Sequence, residues 1–496
     1  MRTLDDEDEL ADKRICHACV SETYLAAEVK ASGDAGVCAY CGETNPSLTI
    51  EELADRIDTA FANHYTRTAT EPDSLQERMQ ADRESSYIWD REGSPAHEAI
   101  QEAAGLDEEP ASDVLEILQN RHGDFDSAAM GEESDFDADA YYAEKGPNDQ
   151  AWHAEWNNFE HSLKSEARFF SRAAAEHLVA VFGGVDQLKT HDGRPLVVSA
   201  GPQTSIDHLY RARVFQSRSQ LEDAIARPDL HVGSPPARAA RAGRMNAQGI
   251  AVFYGATDAL VAIAEVRPPV GSQVVVARFT VGRPLRLLDL TALEDVHESG
   301  SIFDPTFKRR LERASFLRTL GGRMARPVMP EDEAFEYLAT QAVADFLATM
   351  NGPRLDGIVF PSAQTTEGRN AVLFHHAARV EKLNLPPGTT INASTGDWTK
   401  DGWETGYSVY ETAPAGPALQ PTHPIKTGDE FSSILLADLP DLPSGPDRPP
   451  WKADFRKPAL LVDIQSVTVH DVNAVEVITT PHSVNRFRSE PRELKS

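Results

Sequence analysis

The sequence predicts an α+β protein, in which a mixed domain follows a small metal-binding ribbon and a mostly α-helical domain. Three observations predict it: four cysteines within the first 41 residues, helical apolar spacing up to about residue 182, and alternating strand-like and helical runs after residue 195. A chain of 496 residues is too long for one ordinary core. The expected domains are residues 1–48, 49–190, 191–383 and 384–496, the last being a loop-rich and β-rich extension of the third.

The cysteines form two Cys-x-x-Cys pairs, Cys16 with Cys19 and Cys38 with Cys41, with 18 residues between the pairs. Two such knuckles can bring four thiolates around one tetrahedral ion, so the pattern predicts a zinc ribbon holding a structural Zn²⁺. Gly42 lets the chain turn back tightly after the second pair. Two disulfides are the alternative, which a cytoplasmic location disfavours.

Helical patterns dominate the next 140 residues. Thr49 and Glu52 have the spacing of a capping box and are followed by apolar residues on one helix face. Shorter helices are expected at 96–104 and 114–118. Between residues 148 and 182 apolar residues recur every three or four positions, and this spacing predicts one long helix that ends at Gly183.

The charge of the chain is strongly negative. The formal net charge is −30, and residues 102–145 hold 14 acidic and two basic residues. This acidic segment is expected to be solvated or partly disordered, the alternative being a nucleic-acid mimic or a shield over a basic site. Such a chain repels nucleic acid and anionic membranes, so a phosphate site must be a local basic patch. No secretory signal or membrane span is recognised, and a cytoplasmic location is expected.

The region after residue 195 alternates between strands and helices. Residues 384–450 are rich in proline and glycine, so long loops around one strand near 431–437 are expected, with β-rich runs at 459–470 and 474–480 after them. Within the mixed region, strands are predicted at 195–199, 250–254, 272–280, 285–290, 357–360 and 371–374, and helices at 256–266, 306–320 and 330–350.

The residues with the clearest chemistry lie between positions 210 and 265. Arg211 precedes a Gly243-Arg244 turn, and an apolar run then leads to Tyr254 and, one short helical pattern later, to Glu265. Guanidinium groups grip phosphates, an aromatic ring stacks on a base, and a carboxylate can orient ribose hydroxyls. The group therefore indicates a site for an anionic nucleotide, with Arg213 as the competitor of Arg211.

Together with later motifs, these residues resemble the RES domain. The resemblance covers about residues 206–374 in the correct order. Its pieces are Arg211, Gly243-Arg244-x-Asn246, Tyr254, Glu265, Tyr337-Leu338-Ala339-Thr340-Gln341, Asp356-Gly357-Ile358 leading to Ser362, and Gly368-Arg369-Asn370 leading to Phe374. The first 190 residues resemble the zinc-binding piece and HEPN-like helical region that precede some RES domains.

The resemblance implies an ADP-ribosyltransferase-like fold that acts on NAD⁺. Members of the family are toxins that deplete NAD⁺ by hydrolysis or phosphorolysis, or that modify a protein. By motif position, Glu265, Tyr254 and Arg211 are then the catalytic candidates, and the NAD⁺-binding candidates are Arg211, Arg244, Tyr254, Ser362 and Asn246. A neutralising antitoxin or trigger protein is an expected partner, and a homodimer is plausible.

Three other functions stay open at this point. The same site can serve mono-ADP-ribosylation of a protein. Arg172 and His177 resemble the Arg-x4-His motif of HEPN ribonucleases, and RNA would be the substrate there. A catalytically inactive zinc-ribbon interaction protein is the third. Nucleic acid is otherwise an unexpected partner, except through the zinc ribbon or the HEPN-like region.

The chain departs from the family pattern at its central turn. Met245 stands where the family has tryptophan, and Ala247 stands where it has proline. Residues 228–242, with Arg238 and Arg241, enlarge the gap between Arg211 and Arg244. Methionine is a flexible apolar filler, so looser packing beneath the turn is expected.

Overall fold

The chain forms two compact units. Unit 1 comprises Met1–Leu196 together with Ala292–Met324, and unit 2 comprises Val197–Thr291 together with Ala325–Ser496. The mixed content of helix and strand agrees with the predicted fold class. The computed structural model describes residues 10–82, 84–123, 130, 133–365, 367–400, 402–414, 454–476 and 479–486.

Helices occur along most of the described chain. In chain order they are α1 Thr23–Ser32, α2 Ile50–His64, α3 Ser74–Ala81, α4 Ala96–Ala104, α5 Glu108–His122, α6 Gln150–Ser165, α7 Arg172–Phe182, α8 Arg218–Ala226, α9 Pro228–His231, α10 Ala259–Glu265, α11 Leu290–Leu293, α12 Phe307–Ala325 and α13 Glu333–Thr349.

The strands are short in unit 1 and longer in unit 2. In chain order they are β1 Arg14–Cys16, β2 Asp34–Val37, β3 Thr44–Thr49, β4 Tyr65–Arg67, β5 Ser94–Pro95, β6 Tyr141–Glu144, β7 Lys189–Thr190, β8 Val197–Ala200, β9 His208–Phe215, β10 Phe253–Ala256, β11 Gln273–Val281, β12 Leu285–Asp289, β13 Val296–His297, β14 Gly357–Pro361, β15 Arg369–Leu373, β16 Thr390–Thr399, β17 Gly402–Thr412 and β18 Leu460–Asp471.

Unit 1 begins with a three-stranded sheet in the order β1-β3-β2, which carries the cysteine pairs at its turns. Strand β3 leads directly into α2, and the predicted capping box is present at that junction, with Thr49 and Glu52 bonded to each other's backbone N–H groups. Helix α2 buries Ile50, Leu53 and Ile57 against the neighbouring helices. Burial of this apolar face, more than helix propensity, stabilises the helix.

Part of the acidic segment is ordered, contrary to the expectation of a solvated or disordered stretch. Helix α5 buries Val114 and Leu118 in the core of unit 1. Its Asp113 accepts a hydrogen bond from Lys13 at 2.8 Å and another from the Tyr40 hydroxyl at 2.7 Å. The expectation failed because this part of the segment forms a helix whose apolar face is buried and whose Asp113 is bonded to neighbouring side chains.

The single helix predicted over residues 148–182 is wrong, because the chain breaks between α6 and α7. Arg168 Nε donates to the carbonyl of Leu163 at 3.2 Å, and Ser171 caps α7 by accepting the N–H of Ala174 at 3.2 Å. These local bonds satisfy the helix ends and favour the break. Phe170, expected in the helix core, is exposed, with φ at 61°.

Helix α12 contributes to the core of unit 1 although it lies far along the chain. Its Phe316 packs on Trp152 and Trp156, with ring centroids 6.0 and 5.8 Å apart. Its Arg313 donates to the carbonyls of Val181 at 2.9 Å and Gly183 at 2.7 Å. The aromatic residues at 152 and 156 thus form a helix core, as the sequence predicts.

Unit 2 is built on an eight-stranded sheet in the order β18-β11-β9-β10-β15-β14-β12-β8. The neighbouring strands are antiparallel except for β12 and β14, which pair in parallel. A parallel pair needs a long crossover, and here the crossover includes the 292–324 segment of unit 1 and then α13. The predicted strands of this region are present, with ends shifted by up to three residues.

The expectation of long loops after residue 384 is wrong for residues 390–412. They form a hairpin of β16 and β17, which pair antiparallel from Thr390 opposite Thr412 to Thr399 opposite Gly402. Gly402, the first residue of β17, has φ at 117°, a conformation that glycine adopts easily, and this lets the chain reverse between the two strands. The strand expected at 431–437 lies outside the described residues, and the described residues of 474–480 are not in a strand.

Within the described ranges, no helix combines the length and the apolar character that a bilayer crossing requires.

Replacing Thr49 with alanine should lower the free energy of unfolding of unit 1 by about 1 kcal/mol, because α2 loses its N-cap acceptor. Chemical denaturation monitored by circular dichroism measures the change. Thr59 is the matched control, since its hydroxyl donates to the carbonyl of Asp55 within the same helix and caps no helix end. An equal loss for both variants would contradict the capping role.

Candidate functional site

Strand β10 organises the site, since it lies between β9 and β15 in the sheet. Its Ala256 is opposite Tyr210 of β9 on one side and opposite Asn370 of β15 on the other. Tyr254, two residues earlier, is opposite Val372. The pairing therefore brings the regions around Arg211, Tyr254 and Asn370 together, although they are far apart in sequence.

The turn that precedes β10 is closed by its own backbone. The N–H of Gly243 donates to the carbonyl of Asn246 at 3.0 Å. A Cβ atom on Gly243 would lie 2.8 Å from Asn246 Oδ1 and 2.9 Å from Tyr254 Oη, so only glycine fits. The buried Asn246 side chain donates to the carbonyls of Arg241, Ala247 and Ile250. Asn246 therefore braces the turn from behind.

The hydroxyl of Tyr254 belongs to the same network. It accepts the N–H of Met245 at 2.9 Å and donates to Asn246 Oδ1 at 3.0 Å. Burial raises the pKa of Tyr254 to about 12, although the Met245 N–H and the charge of Arg244 oppose the rise. Because the hydroxyl is engaged, the ring is the part of Tyr254 that can meet a ligand. Met245 itself is buried, in the position where the family has tryptophan.

Helix α13 holds the turn from the other side. Thr340 Oγ1 donates to the carbonyl of Arg244 at 2.6 Å, and Gln341 Nε2 donates to the carbonyl of Gly243 at 2.8 Å. These two bonds give a physical reason for the Thr-Gln pair in the motif that begins at Tyr337.

Arg244 lies over the aromatic ring of Tyr337. Its Cζ is 5.1 Å from the ring centroid, and its Nη1 donates to the carbonyl of Arg326 at 2.7 Å. Burial raises the pKa of Tyr337, and the charges of Arg244 and Arg267 work against this rise. The cationic end of Arg244 is thus held in place by an aromatic face and a backbone carbonyl.

Arg211 lies in the middle of β9 rather than at its start. Its Cζ is 4.9 Å from the ring centroid of Phe253, and its Nη1 is enclosed without a hydrogen-bond partner among the described residues. Burial and the neighbouring charge of Arg213 lower the pKa of Arg211 to about 10, so the group stays protonated at neutral pH. Its competitor Arg213 instead donates to the carbonyl of His231. An enclosed N–H donor without a partner is costly, which favours an anionic ligand beside Nη1 of Arg211.

Glu265 is the last residue of α10. Asp258 caps this helix by accepting the N–H groups of Leu260 and Val261, and Val261 and Ala262 pack on the sheet. The helix therefore places Glu265 at a fixed point beside the sheet.

Two side chains hold the carboxylate of Glu265. Ser362 Oγ and Asn370 Nδ2 each donate to Glu265 Oε1 at 2.7 Å. Gly368, with φ at 100°, immediately precedes β15, and a Cβ there would lie 2.4 Å from Val261 Cγ2. The helix and the β14–β15 loop thus pack closely at Val261, and both of these hydrogen bonds to the exposed Glu265 carboxylate engage Oε1.

A pocket of about 290 Å³ brings four of the predicted residues together: Arg211, Arg244, Tyr254 and Glu265. The predicted Ser362 and Asn246 do not line it. Ser362 instead bonds to Glu265, and Asn246 bonds to backbone carbonyls of the Gly243 turn. Five further polar or charged lining residues were not predicted as site residues, although Tyr337 and Asn370 lie within the family motifs; the five are Tyr210, Arg267, Tyr337, Gln364 and Asn370.

Arg172 and His177 lie in different environments, the first exposed and the second in a groove. Arg172 is exposed and paired with Glu176 at 2.8 Å. His177 lines a groove between α6 and α7, its Nε2 is enclosed without a hydrogen-bond partner in the described chain, and burial lowers its pKa. Arg172 is not among the residues that line this groove.

The four cysteines meet at the edge of the first sheet. They are free thiols, and their Sγ atoms all lie within 4.8 Å of one another. The separations from Cys16 to Cys19, Cys16 to Cys41 and Cys19 to Cys38 are 3.8, 3.6 and 3.8 Å. Zn–S bonds of about 2.3 Å in a tetrahedron give edges of about 3.8 Å. The cluster therefore has the ligand atoms and the size to hold a metal ion.

The fold and the pocket define a mixed helix-and-sheet protein with a site suited to a small anionic molecule. Two family models match the chain: the RES domain over residues 208–394 and the HEPN/RES N-terminal domain 1 over residues 31–177. The chain is therefore a RES-domain protein with a HEPN-like N-terminal region, as its motifs predict. No curated protein and no solved structure matches it.

Replacing Cys16 with serine should abolish retention of one metal ion per chain, because the cage loses a thiolate. Metal content of the purified protein, measured by inductively coupled plasma mass spectrometry, tests this. His17 to alanine is the matched control: it changes a potential ligand in the same knuckle and should keep the metal. Full metal occupancy in the Cys16 variant would exclude the four-thiolate site.

Proposed function

We propose that this protein is an NAD⁺-consuming enzyme whose RES domain cleaves the bond between nicotinamide and ribose. The observation that carries the proposal is the pocket in which Arg211, Arg244 and Tyr254 surround the held carboxylate of Glu265. RES domains are associated with NAD-related toxins, and this association supports NAD⁺ as the substrate. An ADP-ribosyltransferase-like fold for unit 2 is part of the proposal.

The charges of the pocket suit a dinucleotide. The arginines can take the pyrophosphate, since guanidinium groups bind phosphate oxygens through paired N–H donors. The face of Tyr254 can stack on a flat base, because its hydroxyl is held by the turn. In a chain with net charge −30, such a local cationic pocket is what an anionic substrate requires.

The departure of nicotinamide needs no strong acid in the site. When the C1′–N bond breaks, its electron pair goes to the pyridinium ring, and nicotinamide leaves as a neutral molecule. The ribose then carries developing positive charge at C1′, which the carboxylate of Glu265 stabilises. Water or phosphate adds to C1′ and loses a proton, which completes hydrolysis or phosphorolysis.

The remaining parts fit a toxin or defence effector. We propose that the four-cysteine cluster holds a structural Zn²⁺, because all its positions are filled by thiolates and none is left open for chemistry. An antitoxin or trigger protein would then control the enzyme. Mono-ADP-ribosylation would use the same pocket with a protein acceptor, so the assay below includes it as an outcome.

Incubating the protein with NAD⁺ should release nicotinamide, and Glu265 to glutamine should lower the rate at least about a hundredfold. Glutamine keeps an acceptor oxygen for Ser362 and Asn370, so the variant loses the charge and keeps the fold. Chromatography of the products measures the rate, and its dependence on added phosphate identifies the acceptor.

The matched control for that experiment is Glu367 to glutamine, which removes a carboxylate from the β14–β15 loop without touching the pocket lining. It should keep the full rate. Label from NAD⁺ that becomes attached to a protein would instead indicate transfer to a protein acceptor. Absence of nicotinamide release under every condition would refute the proposal.

Asn370 to alanine should lower kcat about tenfold and leave KM for NAD⁺ nearly unchanged, because the lost hydrogen bond orients a carboxylate that acts in the transition state. Steady-state kinetics measure both constants. Asn351 is the control, as an equally buried asparagine that bonds to the carbonyl of Pro353. Its alanine variant should lose stability and keep kcat; a larger change in KM than in kcat for the Asn370 variant would argue against positioning.

A further inference from the structure

Arg267 is a pocket residue that neither the motifs nor the matched families single out. It follows the end of α10, two residues after Glu265, and it lines the pocket with Arg211 and Arg244. Three guanidinium groups thus face one carboxylate in the lining, and its other side chains are uncharged. The site carries more positive charge than Arg244 and Arg211 alone supply.

The guanidinium group of Arg267 is uncommitted. Within the described part of the chain it makes no hydrogen bond and no ion pair, whereas Arg244 donates to the carbonyl of Arg326. Its charge acts on the phenol of Tyr337, which lies in the same pocket. Arg267 is therefore near the Arg244–Tyr337 pair and free to bind a ligand.

The backbone of Arg267 has a conformation that arginine disfavours. Its φ is 44°, in the left-handed region that glycine adopts most easily. Its N–H donates to the carbonyl of Ala264 at 3.1 Å, so the chain turns sharply as α10 ends. Strained residues of this kind persist where the surroundings fix them, and they concentrate at ligand sites. Glycine would fit this turn without strain, so the arginine side chain needs another explanation.

We infer that Arg267 binds phosphate oxygens in the pocket, together with the enclosed Nη1 of Arg211. The inference rests on the proposed function for its substrate and deepens it by assigning the anion site. Two sources supply the same chemistry: the pyrophosphate of NAD⁺, or the inorganic phosphate that accepts the ribosyl group in phosphorolysis. Arg244, whose Nη1 bonds to Arg326 and whose guanidinium lies over Tyr337, borders this anion site.

Replacing Arg267 with glycine tests the role of its side chain in binding without destabilising the fold. Glycine relieves the strained backbone, so the thermal unfolding midpoint should stay the same or rise. The KM for NAD⁺ should rise at least about tenfold if Arg267 binds the pyrophosphate, since a charge-assisted hydrogen bond is lost. If the KM for inorganic phosphate rises instead, Arg267 binds the acceptor. Arg267 to lysine should restore part of the affinity, because it keeps the charge.

The matched control is Arg218 to glutamine, which removes an arginine of α8 that pairs with Glu222 outside the pocket. It should leave both KM values unchanged. Unchanged KM values in both Arg267 variants would overturn the inference, as would a glycine variant with a lower unfolding midpoint and a full loss of activity.

A binding measurement keeps the inference separate from the proposed function. Isothermal titration with ADP-ribose, or with inorganic phosphate if Arg267 binds the acceptor, should show at least about tenfold weaker binding to the Arg267 to glycine variant than to the unchanged protein. If the protein releases no nicotinamide but binds either probe in this Arg267-dependent way, the proposed reaction fails and the anion site stands. If neither probe binds the unchanged protein, or if each binds both proteins equally, the anion site fails.

Discussion

The proposed site depends on the fixed position of one carboxylate. Two donors, Ser362 and Asn370, converge on Glu265 Oε1 at 2.7 Å. They come from β14–β15 of the sheet and its loop, while Glu265 comes from the end of α10. For all three to meet, the helix must pack on the sheet and β15 must lie beside β10, as the register of Asn370 opposite Ala256 ensures. The carboxylate is thus positioned by the pairing of the sheet, and a ligand need not order it.

A second polar network positions the cationic side of the pocket. The hydroxyl of Tyr254, the amide of Asn246 and the Thr340–Gln341 pair of α13 together satisfy the backbone groups of the Gly243 turn. Buried polar groups that are all satisfied rigidify a structure and define one arrangement. Because these side chains hold the turn, several motif positions have structural roles next to the ligand, and fewer of them are available for direct contact with it.

Much of this arrangement was predictable from the sequence, because its signals are local. The capping box at Thr49, the cysteine spacing and the positions of the strands in the mixed region each depend on neighbouring residues. Local spacing could not show that Ser362 and Asn370 share one oxygen of Glu265, since that depends on sheet order. Local spacing also did not predict the break before Arg172, where side-chain hydrogen bonds at two helix ends outweigh a continuous apolar pattern. Arg267 could not be predicted from the sequence, because its positive φ angle, rather than its residue type, distinguishes it from other arginines.

The crossover between β12 and β14 has a consequence for the way this protein can be divided. Residues 292–324 lie within the matched RES region, yet Phe316 and Arg313 complete the aromatic core and a helix end of unit 1. A cut in the linear order of the two matched regions would leave the N-terminal fragment with an uncovered aromatic surface and the C-terminal fragment with an orphaned apolar helix. The two regions are consecutive in sequence, but residues 292–324 of the second belong to the core of unit 1, so both are expected to be stable only when they are produced as one chain.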